Sequence, residues 1–141
     1  VLTGRHPIRS GVLSHGRSMR PREITIARAL KSSGYTTGHF GKFHVRSIQK
    51  TSPVNPTEFG FDEWFSAPNF FDMNPIMSKR GVAVQCEGES SRIIVDAVIE
   101  FIRQQANAGE PFLAVVWFAM LEELEAWQKS VIRSLNGKDY R

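Results

Sequence analysis

The stretch TIARALKSSGYTTGHFGKFHV, residues 25–45, decides the fold reading. Pro21 and Thr25 introduce a helical segment in which Ile26, Ala29, Leu30 and Ser33 share one face. Gly34 suits the position just past a helix end. YTTGHF follows, β-branched and aromatic, and predicts a short strand. A second pair of the same kind lies at 91–118. Ser90 or Ser91 can cap a helix there, and Ile94, Val95, Val98, Phe101 and Ile102 fall on a helical stripe. Gly109 and Pro111 end it, and PFLAVVWF is a continuous apolar run that suits a strand buried on both faces. A helix leading into such a strand is half of a βαβ unit. Two of them predict an α/β fold with a mainly parallel sheet flanked by helices.

The remaining segments read differently. Residues 6–22 are rich in Pro, Gly, Ser and Arg and read as loop. Residues 50–80 hold Pro53, Pro56, Pro68 and Pro75 with Gly60, Asn69 and Asn74, and read as a long irregular excursion. Its aromatics, Phe59, Phe61, Trp64, Phe65, Phe70 and Phe71, argue for ordered packing, and Asn69, Asp72 and Asn74 could border a sugar site. The tail LEELEAWQKSVIRSLNGK reads as a helix with Leu124, Trp127, Val131 and Leu135 on one side.

At 141 residues, 41% hydrophobic and 23% charged, the chain suits one ordinary globular domain. No apolar run is long enough to span a bilayer, and VLTGRHPIRSGV has no apolar core of a signal peptide. The sequence does not begin with Met, and a piece of a longer protein is expected. A single cysteine, Cys86, allows no intrachain disulfide and no cysteine-rich zinc site. Charge is unevenly spread. Residues 1–50 hold ten Lys and Arg against one acid, Glu23, and all four histidines; the other 91 residues hold eight bases and thirteen acids. A basic block of this kind suits an anionic partner or a solvated basic face.

Within the strand stretch, Lys42 and His44 are two apart. If the strand continues through both, they reach into one space. Lysine supplies a point charge with three donors, and histidine can donate to an oxyanion or take a proton near neutral pH. Gly38 and Gly41 allow close approach of backbone or ligand. The pair suits a tetrahedral anion such as sulfate or phosphate, at the carboxyl end of a strand where α/β sheets bind ligands.

GYTTGHFGKFH resembles the second signature of the sulfatase family, G-Y-x-S/T-x-x-(small or aliphatic)-G-K-x-H, at Gly34, Tyr35, Thr37, Gly41, Lys42 and His44. Phe40 is larger than the usual residue, and Phe43 stands where Trp is commoner. Leu2, Thr3, Gly4 and Arg5 resemble the end of the family's first signature, C-x-P-S-R-x-x-x-L-T-G-R. TIARALKSSGY, GFDEWFSAPNFF and PFLAVVWF are also similar to sulfatase segments, so the resemblance covers about residues 1–119.

The resemblance implies part of an alkaline-phosphatase-like α/β sandwich, with 1–141 a single incomplete segment of the catalytic domain and 120–141 a divergent helical tail. It implies hydrolysis of sulfate esters by a formylglycine nucleophile beside calcium. Carried over by motif position, Lys42 contacts sulfate and the formylglycine hydroxyl, and His44 bonds that hydroxyl and acts as the base that lets sulfate leave. Arg5 supports the site from beneath. The nucleophile and the calcium carboxylates are expected outside this chain, so no metal ligand is assigned within it. The family's Pro-His after the later strand has no counterpart, since no histidine follows His44. The expectation is a piece without turnover of its own, with exposed sheet edges that invite aggregation. The implied partner is a sulfated small molecule or saccharide, with no membrane, and the implied compartment is periplasmic, secreted or lysosomal. Three other readings stand beside this one: a phosphodiesterase or phosphonate hydrolase of the same superfamily, a non-catalytic anion-binding remnant, and a module binding nucleic acid or sulfated polysaccharide. The basic half lacks interleaved aromatics outside the signature, which argues against nucleic acid.

Overall fold

The computed structural model describes residues 1–14, 17–45, 47–68 and 73–118. The expected tail helix, and Asn69 and Asp72, lie outside these residues. In chain order the elements are helix α1 (Ile26–Lys31), strand β1 (Thr36–Lys42), strands β2 (Glu63–Ala67), β3 (Ile76–Lys79) and β4 (Val82–Gln85), helix α2 (Ser90–Ala108) and strand β5 (Phe112–Trp117). Short 3-10 helices cover Pro7–Ser10 and Pro56–Phe59. One sheet runs in the order β4-β3-β2-β1-β5. β1 pairs in parallel with β2 and with β5, while β2–β3 and β3–β4 are antiparallel. The sheet therefore has the expected parallel core, extended by an antiparallel hairpin. No helix among the described residues is long and apolar enough to cross a membrane.

The alternation of side chains along β1 and β5 divides the core in two. On the α1 side lie Leu2, Met19, Ala27, Phe43, Phe59 and Phe61, with Leu113, Val115 and Trp117 of β5 against them. On the α2 side lie Phe40, Ala67, Met77, Ile94 and Phe101, with Phe112, Ala114 and Val116. PFLAVVWF thus packs on both faces, but as the outermost strand of the described sheet Phe112–Trp117 is half-buried and not buried as its unbroken apolar run predicts. Each fully buried phenylalanine contributes about 1.5–3 kcal/mol relative to exposure.

Several local expectations need correction. α1 buries Ala27 and leaves Ile26 47% exposed. The helix is only six residues long, and its rotation is fixed by Thr25. The Thr25 hydroxyl donates to the Phe59 carbonyl (2.5 Å) and accepts from Arg28 N–H (3.1 Å). The helix ends earlier than Gly34 suggests, with Ser32 as its C-cap; Gly34, in the left-handed region, closes the next turn through N–H to the Lys31 carbonyl. α2 is capped by Glu89, not by Ser90 or Ser91. Its carboxylate accepts from the N–H groups of Ser91 (2.7 Å) and Arg92 (2.9 Å), and the Ser91 bond is the main cause that holds the carboxyl below its ordinary value. The helical stripe is wider than the contact: Ile94 and Phe101 are buried, whereas Val95 and Ile102 are exposed.

The irregular excursion, residues 50–80, contains β2 and β3, and β4 follows just beyond it to complete a hairpin with β3. The hairpin turns on Arg80 and Gly81, both with positive φ (50° and 91°), the backbone that a two-residue hairpin loop with right-handed twist requires. Asn74 is exposed, and its side-chain oxygen accepts from Gly88 N–H at 2.8 Å.

Candidate active site

β1 occupies a particular place in the sheet. The chain builds β2, β3 and β4 outward on one side of β1, then returns through α2 to lay β5 on the other. The order reverses at β1, and the crevice outside the carboxyl end of such a strand is where open α/β sheets bind ligands. Lys42 is the last residue of β1.

Gly41 shapes this end. Its φ is +98°, and a Cβ there would stand 2.0 Å from the Trp117 carbonyl oxygen. Only glycine allows β5 so close at this point. Lys42, half-buried, stands in register with Ala67. Phe43 donates its N–H to the Ala67 carbonyl (2.7 Å) and is fully buried on the α1 side. The strand ends at Lys42, and His44 lies exposed in the turn beyond it. The alternation that would carry both side chains into one space therefore stops one residue short of His44.

His44 lines a cavity of about 450 Å³ built with the loop that follows Arg5. That loop is tied down at its ends: Leu2 and Met19 are buried, and the Leu2 carbonyl accepts from Ile26 N–H at 2.8 Å. Within it, Pro7–Ser10 forms its 3-10 turn, closed by Gly11 and by Ser10 Oγ donating to the Pro7 carbonyl (2.8 Å). Between these anchors the loop presents His6 and Arg17 to the cavity beside His44, with Pro7, Ile8, Val12 and Leu13 as an apolar wall. Among the described residues no carboxylate lines it. Lys42 and Arg5 are not part of the lining. Arg5 instead bonds the carboxylate of Glu23, the single acid of the basic half, through Nη1 at 2.9 Å; Glu23 is buried and Arg5 exposed. His6 and Arg17 carry no motif that singles them out. They meet His44 only through a fold that closes some thirty residues of chain, and no local periodicity reports such a contact.

The other histidine of the strand has the opposite environment. His39 is fully buried, with Nδ1 2.8 Å from Ser66 Oγ. It packs edge-on against Phe43, Phe61 and Trp117 at centroid distances of 4.9, 5.3 and 5.1 Å. Its Nε2 has no hydrogen-bond partner. Burial lowers its pKa from 6.5 to about 3, so the ring is neutral at physiological pH. His39 is therefore a core residue and takes no part in the cavity that His44 lines.

Among the described residues no three His, Cys, Asp or Glu side chains come together to hold a metal ion. The calcium that the sequence resemblance implies has no ligand set among them.

The comparisons with known proteins agree with the geometry. The family model "Sulfatase" matches residues 1–120. The steryl-sulfatase of Rattus norvegicus is 41% identical over 90 residues, 52% of this chain and 16% of that protein. The ulvan-active sulfatase of Formosa agariphila is 32% identical over 124 residues, 84% of this chain and 24% of that protein. The chain thus spans a quarter or less of the length of either. Among solved structures, BT4656 in complex with its substrate D-glucosamine-2-N,6-O-disulfate superposes with a TM-score of 0.68 at 23% identity, covering 83% of this chain and 22% of that one. Ps i-CgsB superposes with a TM-score of 0.74 at 18% identity, covering 84% and 32%. With a family model that matches residues 1–120 and a sheet that superposes on solved structures with TM-scores of 0.68 and 0.74, the chain belongs to the sulfatase family.

Proposed function

We propose that the protein containing this chain hydrolyses sulfate esters of a small molecule or saccharide, and that Lys42 and His44 form the half of its site that holds the sulfate. The observation that carries this reading is the position of His44: just beyond the carboxyl end of the strand where the sheet order reverses, on a cavity lined by His6, Arg17 and His44 and, among the described residues, by no carboxylate. In this reading the Lys42 ammonium offsets the negative charge of the sulfate oxygens as the ester bond breaks. His44, solvent-accessible in the turn two residues on, donates a hydrogen bond or takes a proton as sulfate leaves. The nucleophile, a formylglycine by family likeness, and the calcium ion belong to segments other than residues 1–141. The segment alone then binds sulfate esters without turning them over.

The test is made on a longer polypeptide that contains these residues and is active on an aryl sulfate. Lys42→Ala and His44→Ala are each expected to lower kcat/KM by roughly a hundredfold or more, the usual loss of an electrostatic or acid–base contribution. A fall of less than threefold in both would refute the assignment. A matched phosphate monoester and diester, assayed in parallel, would show faster turnover than the sulfate if the phosphodiesterase reading held.

A further inference from the structure

We infer that the cavity beside His44 receives the alcohol half of the substrate, and that Arg17, with His6, binds a second anionic group on it. This rests on the sulfate-ester reading above and names the substrate class more narrowly: a ring-sized alcohol that carries a negative charge besides the ester to be cleaved.

Size is the first reason. About 450 Å³ is small-molecule scale, well beyond what an inorganic anion fills. Charge is the second. A sulfate monoester bears one negative charge, and Lys42 and His44 suffice to hold it. Arg17 is then an additional, permanently charged group aimed at the same cavity. It has no ion pair among the described residues; the three salt bridges there belong to Arg5, Lys31 and Arg80. Among the described residues no carboxylate lines the cavity, and the one acid of residues 1–50, Glu23, is bonded to Arg5. The planar guanidinium fits a sulfate or carboxylate in a two-pronged bond, and His6 stands on the same cavity to add a donor. Shape is the third. Ile8 and Leu13 are 57% and 69% exposed and lie on the cavity wall. Large apolar side chains held out of the core beside a cationic site suit the face of a ring.

Binding to residues 1–141 tests this, with two probes on one ring: N-acetylglucosamine 6-sulfate, with one anionic group, and N-sulfoglucosamine 6-sulfate, with two. Calorimetry at fixed ionic strength should show the disulfate bound roughly tenfold more tightly, the discrimination expected of one partly solvated charge-assisted contact. The double variant Arg17→Ala/His6→Gln should abolish that preference and leave monosulfate affinity within about twofold. Both residues are exposed, so the fold is not at risk. Arg22→Ala, an exposed arginine away from the cavity lining, should leave the preference intact. The inference is overturned if wild type shows no preference or if the preference survives the double variant. It is also overturned if both probes weaken equally, which would put Arg17 on the ester sulfate. An equal loss of preference in Arg22→Ala would assign it to the diffuse basic field and overturn it too. Failure of the underlying sulfate site looks different: no monosulfate binding, or binding undiminished by Lys42→Ala and His44→Ala.

Discussion

Acid should destabilise this fold through one side chain, His39. Its ring is fully buried among three aromatic rings and its pKa is lowered from 6.5 to about 3 by desolvation. The unfolded chain takes up a proton as pH falls through 6.5, while the folded chain does not until about 3. In that window the unfolded state binds more protons, so stability falls with falling pH. The full contribution is present above pH 7.5 or so and is lost progressively below 6.5. A pH of 5 lies 1.5 units below the ordinary imidazole value of 6.5, which is worth about 2 kcal/mol at about 1.36 kcal/mol per unit. The result is insensitive to the folded pKa as long as that stays below about 4.

Urea unfolding of residues 1–141 at pH 8 and pH 5, followed by tryptophan fluorescence, measures this. Trp64 is 2% exposed and reports loss of the core. The comparison is His39→Leu, apolar and of similar volume. The substitution removes the bond from Ser66 Oγ to the ring, leaving that hydroxyl its weaker bond to the residue 39 carbonyl (3.4 Å). That cost is the same at both pH values and cancels in the difference. Wild type should lose about 2 kcal/mol more than the variant between pH 8 and pH 5. The carboxyls of Asp62 and Glu89, both held below their ordinary values of 3.8 and 4.5, contribute stability that is lost only at more acid pH. Equal losses in wild type and variant would refute the argument, and would mean that the ring is protonated inside the fold or that the core admits water.

Other substitutions test other joints of the structure. Gly41→Ala should cost at least about 3 kcal/mol, or prevent folding, because the new Cβ meets the Trp117 carbonyl at 2.0 Å and φ is +98°; a shift in urea midpoint worth under 1 kcal/mol would contradict the close approach. Glu89→Ala should cost about 1 kcal/mol as the loss of a helix cap, seen as an earlier unfolding midpoint above pH 5. Thr37→Val should cost about 1–2 kcal/mol. The buried Thr37 hydroxyl donates to the Gly60 carbonyl (2.6 Å) and accepts from Asp62 N–H (3.2 Å), and valine can do neither; an unchanged midpoint would show that those groups find other partners.

How much of this was legible in sequence depends on the length of each element and the reach of each contact. β1, α2 and β5 were readable because seven, nineteen and six residues are long enough for a period or an apolar run to declare itself. The hairpin was not. Its strands, IMSK and VAVQ, are four residues each and mix polar with apolar positions. The signal available was the Arg-Gly step between them, which is weaker than Asn-Gly or Asp-Gly at such a turn. α1 was placed correctly but given the wrong face, because a long-range bond from Thr25 to the Phe59 carbonyl outweighs the periodicity of a six-residue helix. At the site, Lys42 and His44 stand out because their motif is local. His6 and Arg17 do not, because the fold alone brings them to His44.

The contrast between His39 and His44 shows how one strand divides its work. Five residues apart on nearly the same run, one imidazole is held neutral by burial and the other is left in contact with solvent. The switch occurs at Gly41. Up to that point β1 runs between β2 and β5 with alternate side chains sunk into two cores. At Gly41 the Trp117 carbonyl of β5 closes on the backbone, Phe43 drives back into the α1-side core, and the chain leaves the sheet. Lys42 and His44 flank that buried ring, so the Phe43 anchor fixes where both side chains begin. A substitution that lets β5 move away from Gly41 would therefore loosen Lys42 and His44 without touching either residue. By this logic the glycine before the lysine belongs to the site as much as to the fold: it is the point where core packing is converted into the position of charge.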